Sequence, residues 1–444
     1  MNQKIIELLN NKEYKEVRKL VSDMNEVDIA NILDELDDET RLIFFRLLPK
    51  DMAADVFSFL DQDSQSHIIN AITDKELGNI MNDLFIDDAV DTIEELPAIV
   101  VKRVLRNVNA STRNLINQYL NYDENSAGSI MTAEYVTLRR NMTVKDSFDH
   151  IRKTCADKET IYDCFVLDET SHLEGVITVR ELLRHPYETV VKDIMETNVI
   201  YVETSVDREE VARKFSEYDL LSMPVVDKEK RMVGIVTIDD VIDVMEEEVT
   251  EDFEKMALMT PSEKPYLKTN VFTLAKHRLL WLSILMISSI FTGLILGRYE
   301  AAFAVMPILV TFIPMLMDTG GNAGSQSSTL IIRGMATNEI RIKDIGKIVF
   351  KELRVGLITG ICLAILNFVR VIIQYPGQYN VALVVSIALV VTVVCAKVIG
   401  GALPVFAKAI HIDPAIMASP LITTIVDAVS LIAYFTLAVK ILGM

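Results

Sequence analysis

The 444-residue sequence predicts a multidomain chain. The expected parts are an all-α N domain wound as a helical superhelix, an α+β module present as a tandem pair, a long acidic connecting helix, and a five-helix transmembrane domain. Three observations predict this. Charge divides the chain near residue 270: up to Val271 there are 31 Lys+Arg and 56 Asp+Glu (net −25), and from Phe272 onward 13 and 7 (net +6). Five apolar stretches long enough to cross a bilayer follow that division. An internal repeat of about 60 residues precedes it. The expected boundaries are 1–127 for the N domain, 128–190 and 191–245 for the two copies, 246–270 for the connecting helix and linker, and 271–444 for the membrane domain.

The acidic half excludes a nucleic-acid partner and favours cations or basic surfaces, although most single carboxylates can simply be solvated. Cys155, Cys164, Cys362 and Cys395 show no CxxC spacing and read as reduced thiols. The start, MNQKIIELLNNKEYKEV, has no apolar signal core, so the soluble half is expected in the cytosol. No paired Cys/His site, Walker loop or nucleophile elbow appears, so no enzyme is expected.

Residues 1 to about 125 read as short helices, each punctuated by Asp, Ser, Thr or Pro and recurring every dozen residues or so. Within them Asp87 and Asp91 share a helical face at i and i+4, with Asp88 beside them. Acids are welcome near a helix start, so spacing alone favours a solvated helix terminus over a cation site. The tandem copies run SIMTAEYVTL to LEGVITVRELL and DIMETNVIYV to MVGIVTIDDVI, with Gly175 and Gly234 before the last strand of each. Both close on T-x-x-[DE], Thr178 with Glu181 and Thr237 with Asp240, a box that caps a helix. From Asp239 to Met259 an apolar stripe (Ile242, Met245, Val249, Phe253, Met256) lies among Asp243, Glu246, Glu247, Glu248, Glu251, Asp252 and Glu254. Pro261 and Pro265 are expected to end that helix.

The apolar spans are approximately 279–297, 302–331, 355–375, 381–407 and 417–441. Lys276 and Arg278 precede the first, and six Lys and Arg residues between Arg333 and Arg354 separate the second from the third. The positive-inside rule makes both places cytoplasmic, which leaves the C-terminus external. The second span holds Pro307, Pro314 and then DTGGNAGSQSST. Polar, Gly-rich sequence at membrane depth suits close packing or a water-lined wall, and its amides and hydroxyls favour the wall. Lys397 is expected to snorkel or to pair with an acid. In the fifth span one interior carboxylate, Asp427, repeats with Thr423 and Ser430 at helical spacing. An acid at that depth reads by default as a functional site.

These pieces together resemble the MgtE-type magnesium channels and transporters of prokaryotes, over essentially the whole chain. The most specific marks are P-x(5)-GGNAGSQ after Pro314 and DPA…P-x-x-T-x-x-D from Asp413 to Asp427, and the repeat resembles the tandem CBS module. The resemblance implies a homodimer in the plasma membrane, embedded in lipid, that conducts Mg²⁺ between its subunits. Asp427, Thr423, Ala428, Asn322 and Gln326 would line the pore. It implies closure by cytosolic Mg²⁺ at Asp87, Asp91, Asp207, Glu209, Asp219, Asp240, Asp243, Glu251, Asp252 and Asp413. In nucleotide-binding CBS modules the closing hydroxyl and acid hold phosphate and ribose, so ATP or another adenine nucleotide at Thr178, Glu181, Thr237 and Asp240 is implied beside plain capping. Ser419, where some relatives carry an amide, is a departure near the pore entrance. A broader Mn²⁺ or Co²⁺ transporter and a membrane-anchored nucleotide sensor are the alternative readings.

Overall fold

The computed structural model describes the chain apart from residues 1, 51, 95, 263–265, 268, 418 and 444, and apart from the side chains of residues 2, 157, 301–303 and 419. The expectations for Pro265 and for the Ser419 side chain therefore lie outside the described residues. The chain forms two compact units, 1–246 and 247–444.

In the first unit ten helices, from α1 (Asn2–Asn10) to α10 (Ala110–Tyr119), make the N domain. The dozen-residue phase is literal: Asn25, Asp37, Asp61, Thr73, Pro97 and Asn109 precede helices at spacings of twelve or its multiples. Five of these six accept a backbone N–H with their side chain, which satisfies donors a helix start leaves free. With ends fixed every twelve residues, residues such as Ile29, Leu33, Phe44, Phe57, Ile68 and Val104 fall on one continuous core.

The tandem module follows as two three-stranded sheets of one design. In the first, β1 (Val136–Leu138) runs parallel to β2 (Asp163–Leu167), which is antiparallel to β3 (Leu173–Thr178). In the second, β4 (Val202–Glu203), β5 (Ser222–Val226) and β6 (Met232–Thr237) repeat it, down to a bulge at the corresponding position. The copies exchange their leading segments: Thr132 bridges Ile235, and Glu196 bridges Val176. This exchange explains the two glycines. A Cβ on Gly175 would stand 2.8 Å from the Glu196 carbonyl oxygen, and one on Gly234 2.8 Å from that of Thr132. The connecting helix, α14 (Ile238–Met256), starts directly from β6. It ends at Met256, before the prolines expected to stop it, where Leu258 takes a left-handed φ of 52°.

In the second unit, four helices among the described residues are long and apolar enough to cross a membrane. They are α15 (Val271–Arg298), α18 (Ile345–Gln374), α19 (Tyr379–Ala409) and α20 (Ser419–Leu442). The second expected span is broken into α16 (Glu300–Val305), a 3₁₀ turn (Pro307–Phe312) and α17 (Ile313–Ala336). Pro307 and Pro314 sit in first turns, where the missing N–H costs nothing, so they start elements rather than free carbonyls within one. Polar composition keeps α17 below the apolarity of the others, yet it is held by α19 and α20. Gly400 of α19 lies against the Gly324 backbone so closely that a Cβ there would meet the Gly324 carbonyl, an approach only glycine allows. The Tyr434 hydroxyl donates to the Leu309 carbonyl at 2.9 Å, and Ser328 to that of Met417 at 2.8 Å, closing the bundle around its broken span.

Candidate functional site

The glycines of α17 set the site in the membrane unit. Gly321 lies against Thr423, Gly324 against Ile422, and Gly320 against Val426 and Ser430, so α17 and α20 cross in close contact. Asp427 stands one turn above Thr423, half-exposed, and among the described residues no hydrogen bond or ion pair within the chain reaches it. Ala428 is half-buried beside it. The hydroxyls of Thr423 and Thr424 donate to the Pro420 carbonyl at 2.8 and 3.1 Å, leaving their lone pairs outward. On α17, Asn322 and Gln326 are exposed at i and i+4, while Ala323, Gly324, Ser327 and Ser328 turn inward. A polar face uncovered at membrane depth needs water, an ion or another chain.

Lys397 departs from expectation. It does not snorkel and meets no acid among the described residues; it is 6% exposed and its Nζ donates to Gln326 Oε1 at 3.4 Å. Glu352 of α18, which also reaches α17, accepts instead from the Ser327 hydroxyl at 2.6 Å.

At the foot of the same unit the connecting helix supplies Glu251, Asp252 and Lys255. The Lys255 ammonium lies 2.7 Å from Glu251 and 2.8 Å from Asp413, bridging two carboxylates expected to hold a metal ion. Those two partners raise its pKa despite partial burial. Asp252 is pushed up by burial and then by Asp413 and Glu251, against Lys255 and Arg333. Asp413 also caps Ala415 N–H at 2.8 Å, so it is fixed by the turn before α20. Sequence reading missed Lys255, because one base among many acids in a helix has no local signal.

A second acidic group lies in the first unit. Asp87, on α8 (Ile86–Glu94), is 9% exposed, which overturns the solvated helix start that spacing favoured. Burial pushes its carboxyl well up, and Asp240, Asp88 and Glu159 push it further. Burial also raises Asp88 to about 6, with Asp239, Asp55 and Glu134 adding, and Glu159 to about 7, with Asp239 and Asp240 adding. Asp240 is raised to about 6 by burial although Thr237 donates to it at 2.6 Å. Asp91 is exposed. The structure thus joins Asp87 and Asp88 to Asp240 and adds Asp239, Glu134 and Glu159, which no spacing announced. Among the described residues, no three His, Cys, Asp or Glu side chains are grouped closely enough to hold a metal ion. The carboxylates repel without forming a ready cage.

Carboxyls raised in the folded state bind protons more tightly there than when unfolded, so without divalent ions their arrangement loses stability as pH rises through about 6 to 7. Hydrogen-exchange protection of residues 86–94, corrected for intrinsic rates, should therefore fall between pH 5.5 and 7.5 in a chelator. Saturating Mg²⁺ should flatten that dependence, and a flat profile in chelator would count against the arrangement.

The remaining expected residues are more dispersed. Asp207 caps α13 (Arg208–Tyr218) by accepting from Glu209 N–H at 2.8 Å, and Asp219 ends it at a φ of 52°. One helix length, about 18 Å, separates Asp207 from Asp219, so they serve different places. Asp243 is exposed on α14. Thr178 accepts from Glu181 N–H at 3.1 Å, so its box caps α12 (Val179–Arg184), and Glu181 also pairs with Arg184 at 2.8 Å. A cleft lined by Leu173, Thr197, Val199, Tyr201, Val226 and Lys230 includes none of Thr178, Glu181, Thr237 and Asp240.

A divalent cation transporter family model matches residues 313–437, the MgtE intracellular N domain model matches 24–125, and the CBS domain model matches 127–188 and 191–247. The magnesium transporter MgtE of Thermus thermophilus is 35% identical, covering 97% of this chain and 96% of its own length. That of Bacillus subtilis is 31% identical, covering 98% and 96%. The crystal structure of the cytosolic domain of an Mg²⁺ channel MgtE in complex with ATP is similar at a TM-score of 0.53 and 36% identity, covering 55% of this chain and 100% of that one.

Proposed function

The chain belongs to the MgtE family of magnesium transporters, and from that membership we propose that it is a passive Mg²⁺ channel closed by cytosolic Mg²⁺. In this reading the pathway runs between two copies of the chain in the plasma membrane, with the first unit cytoplasmic and the C-terminus external. Asp427, Thr423 and Ala428 of α20 and Asn322 and Gln326 of α17 line it. The observation that carries the reading is Asp427, half-exposed and without a partner among the described residues, on the helix that packs against α17 with its exposed Asn322 and Gln326. Mg²⁺ gives up its water reluctantly and prefers octahedral oxygen. Carboxylate and carbonyl-type oxygens can accept hydrogen bonds from its water shell without removing it.

Closure follows from the acidic groups. Bound cations would neutralise Asp87, Asp91 and Asp240, with Asp207, Glu209, Asp219 and Asp243 supplying further weak contacts. This is a population shift driven by different ion affinities of two states. At Glu251, Asp252 and Asp413 the Lys255 ammonium already supplies one positive charge, so this site needs less from the ion than the first. An adenine nucleotide at Thr178, Glu181, Thr237 and Asp240 would couple to the same sensor through Asp240.

Purified chain in proteoliposomes under equal inward gradients should take up Mg²⁺ faster than Mn²⁺ or Co²⁺. Faster Mn²⁺ flux would replace the reading with a broader divalent transporter.

A further inference from the structure

The pathway just described gives no role to Asp318, an ionisable side chain on α17. Asp318, Asn322 and Gln326 follow one another four residues apart, and all three are exposed, whereas Gly320, Gly321, Ala323 and Gly324 between them are buried. Four-residue spacing keeps the three on one stripe.

The glycine contacts fix the depth of Asp318. Gly321 touches Thr423, and moving towards the start of α17 brings Gly320 against Val426 and Ser430, so the two helices run in opposite senses. Asp318 lies three residues above Gly321, a rise of about 4.5 Å, and Asp427 lies four residues above Thr423, a rise of about 6 Å. The two carboxylates therefore share one layer, on either side of the α17–α20 seam. The Ser430 hydroxyl and the Thr392 methyl meet that layer behind Gly320, and the hydroxyls of both residues, each at most 1% exposed, have no protein partner among the described residues. Buried polar groups left unpaired at membrane depth point to water or an ion in the layer.

We propose that Asp318 is a second carboxylate of the ion pathway, which holds the water shell of a divalent cation jointly with Asp427. The inference rests on the reading of Asp427 as the pathway carboxylate. Two acids in one layer strengthen capture of a hydrated divalent ion, and an exposed acid on α17 gains the wet surroundings it needs.

Initial Mg²⁺ uptake by full-length chain in proteoliposomes, measured against external Mg²⁺, tests it with Asp318→Asn, Asp318→Glu and Asp427→Asn. Asp318→Asn should raise the half-saturating Mg²⁺ by about tenfold or more, and Asp318→Glu should hold it within about threefold, because charge rather than shape does the binding. A merely structural role would lower the maximal rate of both variants and leave half-saturation unmoved, and that result overturns the proposal. If Asp427→Asn conducts normally, the pathway reading fails and this inference with it. If Asp427→Asn is inactive while Asp318→Asn keeps the wild-type half-saturation, only the role of Asp318 fails.

Discussion

Replacing Asp427 with Asn should lower Mg²⁺ uptake about a hundredfold while leaving the fold in place. The side chain keeps its shape and loses only its charge, and no hydrogen bond or ion pair within the chain depends on it among the described residues. Its worth to the ion is large. A divalent cation held through its water shell about 5 Å from a carboxylate gains about 7 kcal/mol at an effective dielectric of about 20. Hydration and screening remove most of that, yet a remainder of about 2.7 kcal/mol already gives the hundredfold loss. The control is built in, since Thr423 and Thr424 bond the Pro420 carbonyl and hold the helix start without Asp427. Uptake within about twofold of wild type would remove Asp427 from the pathway.

How legible these features were depended on the distance over which each is written. The N-domain helices were legible because each carries its own cap every twelve residues, from Asn25 to Asn109. The tandem sheets were legible because the two copies confirm each other, glycine for glycine. The exchange of leading segments was not, because nothing local distinguishes Thr132 pairing with Ile235 from pairing within its own copy. The same limit explains the sites. Asp427 declares itself, as an acid in an apolar helix has no bland surroundings. Asp87 looked like a surface acid because the fold buries it and brings to it Glu159 and Asp240, far along the chain. Glu134 and Glu159 sit in loops without period, and Lys255 and Lys397 found partners, Asp413 and Gln326, that only the fold supplies.

Neutralising Asp87, Asp91 and Asp240 together, each to Asn, should leave conduction intact and raise the cytosolic Mg²⁺ needed for closure by about tenfold or more. The two acidic groups differ in one respect that decides this. At the foot of the membrane unit Lys255 and Arg333 already act on Asp252, and Lys255 bridges Glu251 and Asp413. In the first unit the described charges that push Asp87, Asp88, Asp240 and Glu159 up are acids, among them Asp55, Glu134 and Asp239. Protons or added cations offset the repulsion in such a cluster, so at neutral pH a bound divalent ion would supply what protons supply at lower pH. Removing three charges relieves the repulsion and also removes the ligands, so the compact state responds to the ion only at higher concentration. Protease protection of the first unit across a Mg²⁺ titration separates the two effects. The wild type should become protected over a narrow range of Mg²⁺, whereas the variant should show one level of protection across that range. Wild-type closure at the wild-type concentration, measured on the same preparation by uptake, would place the sensor elsewhere in the chain.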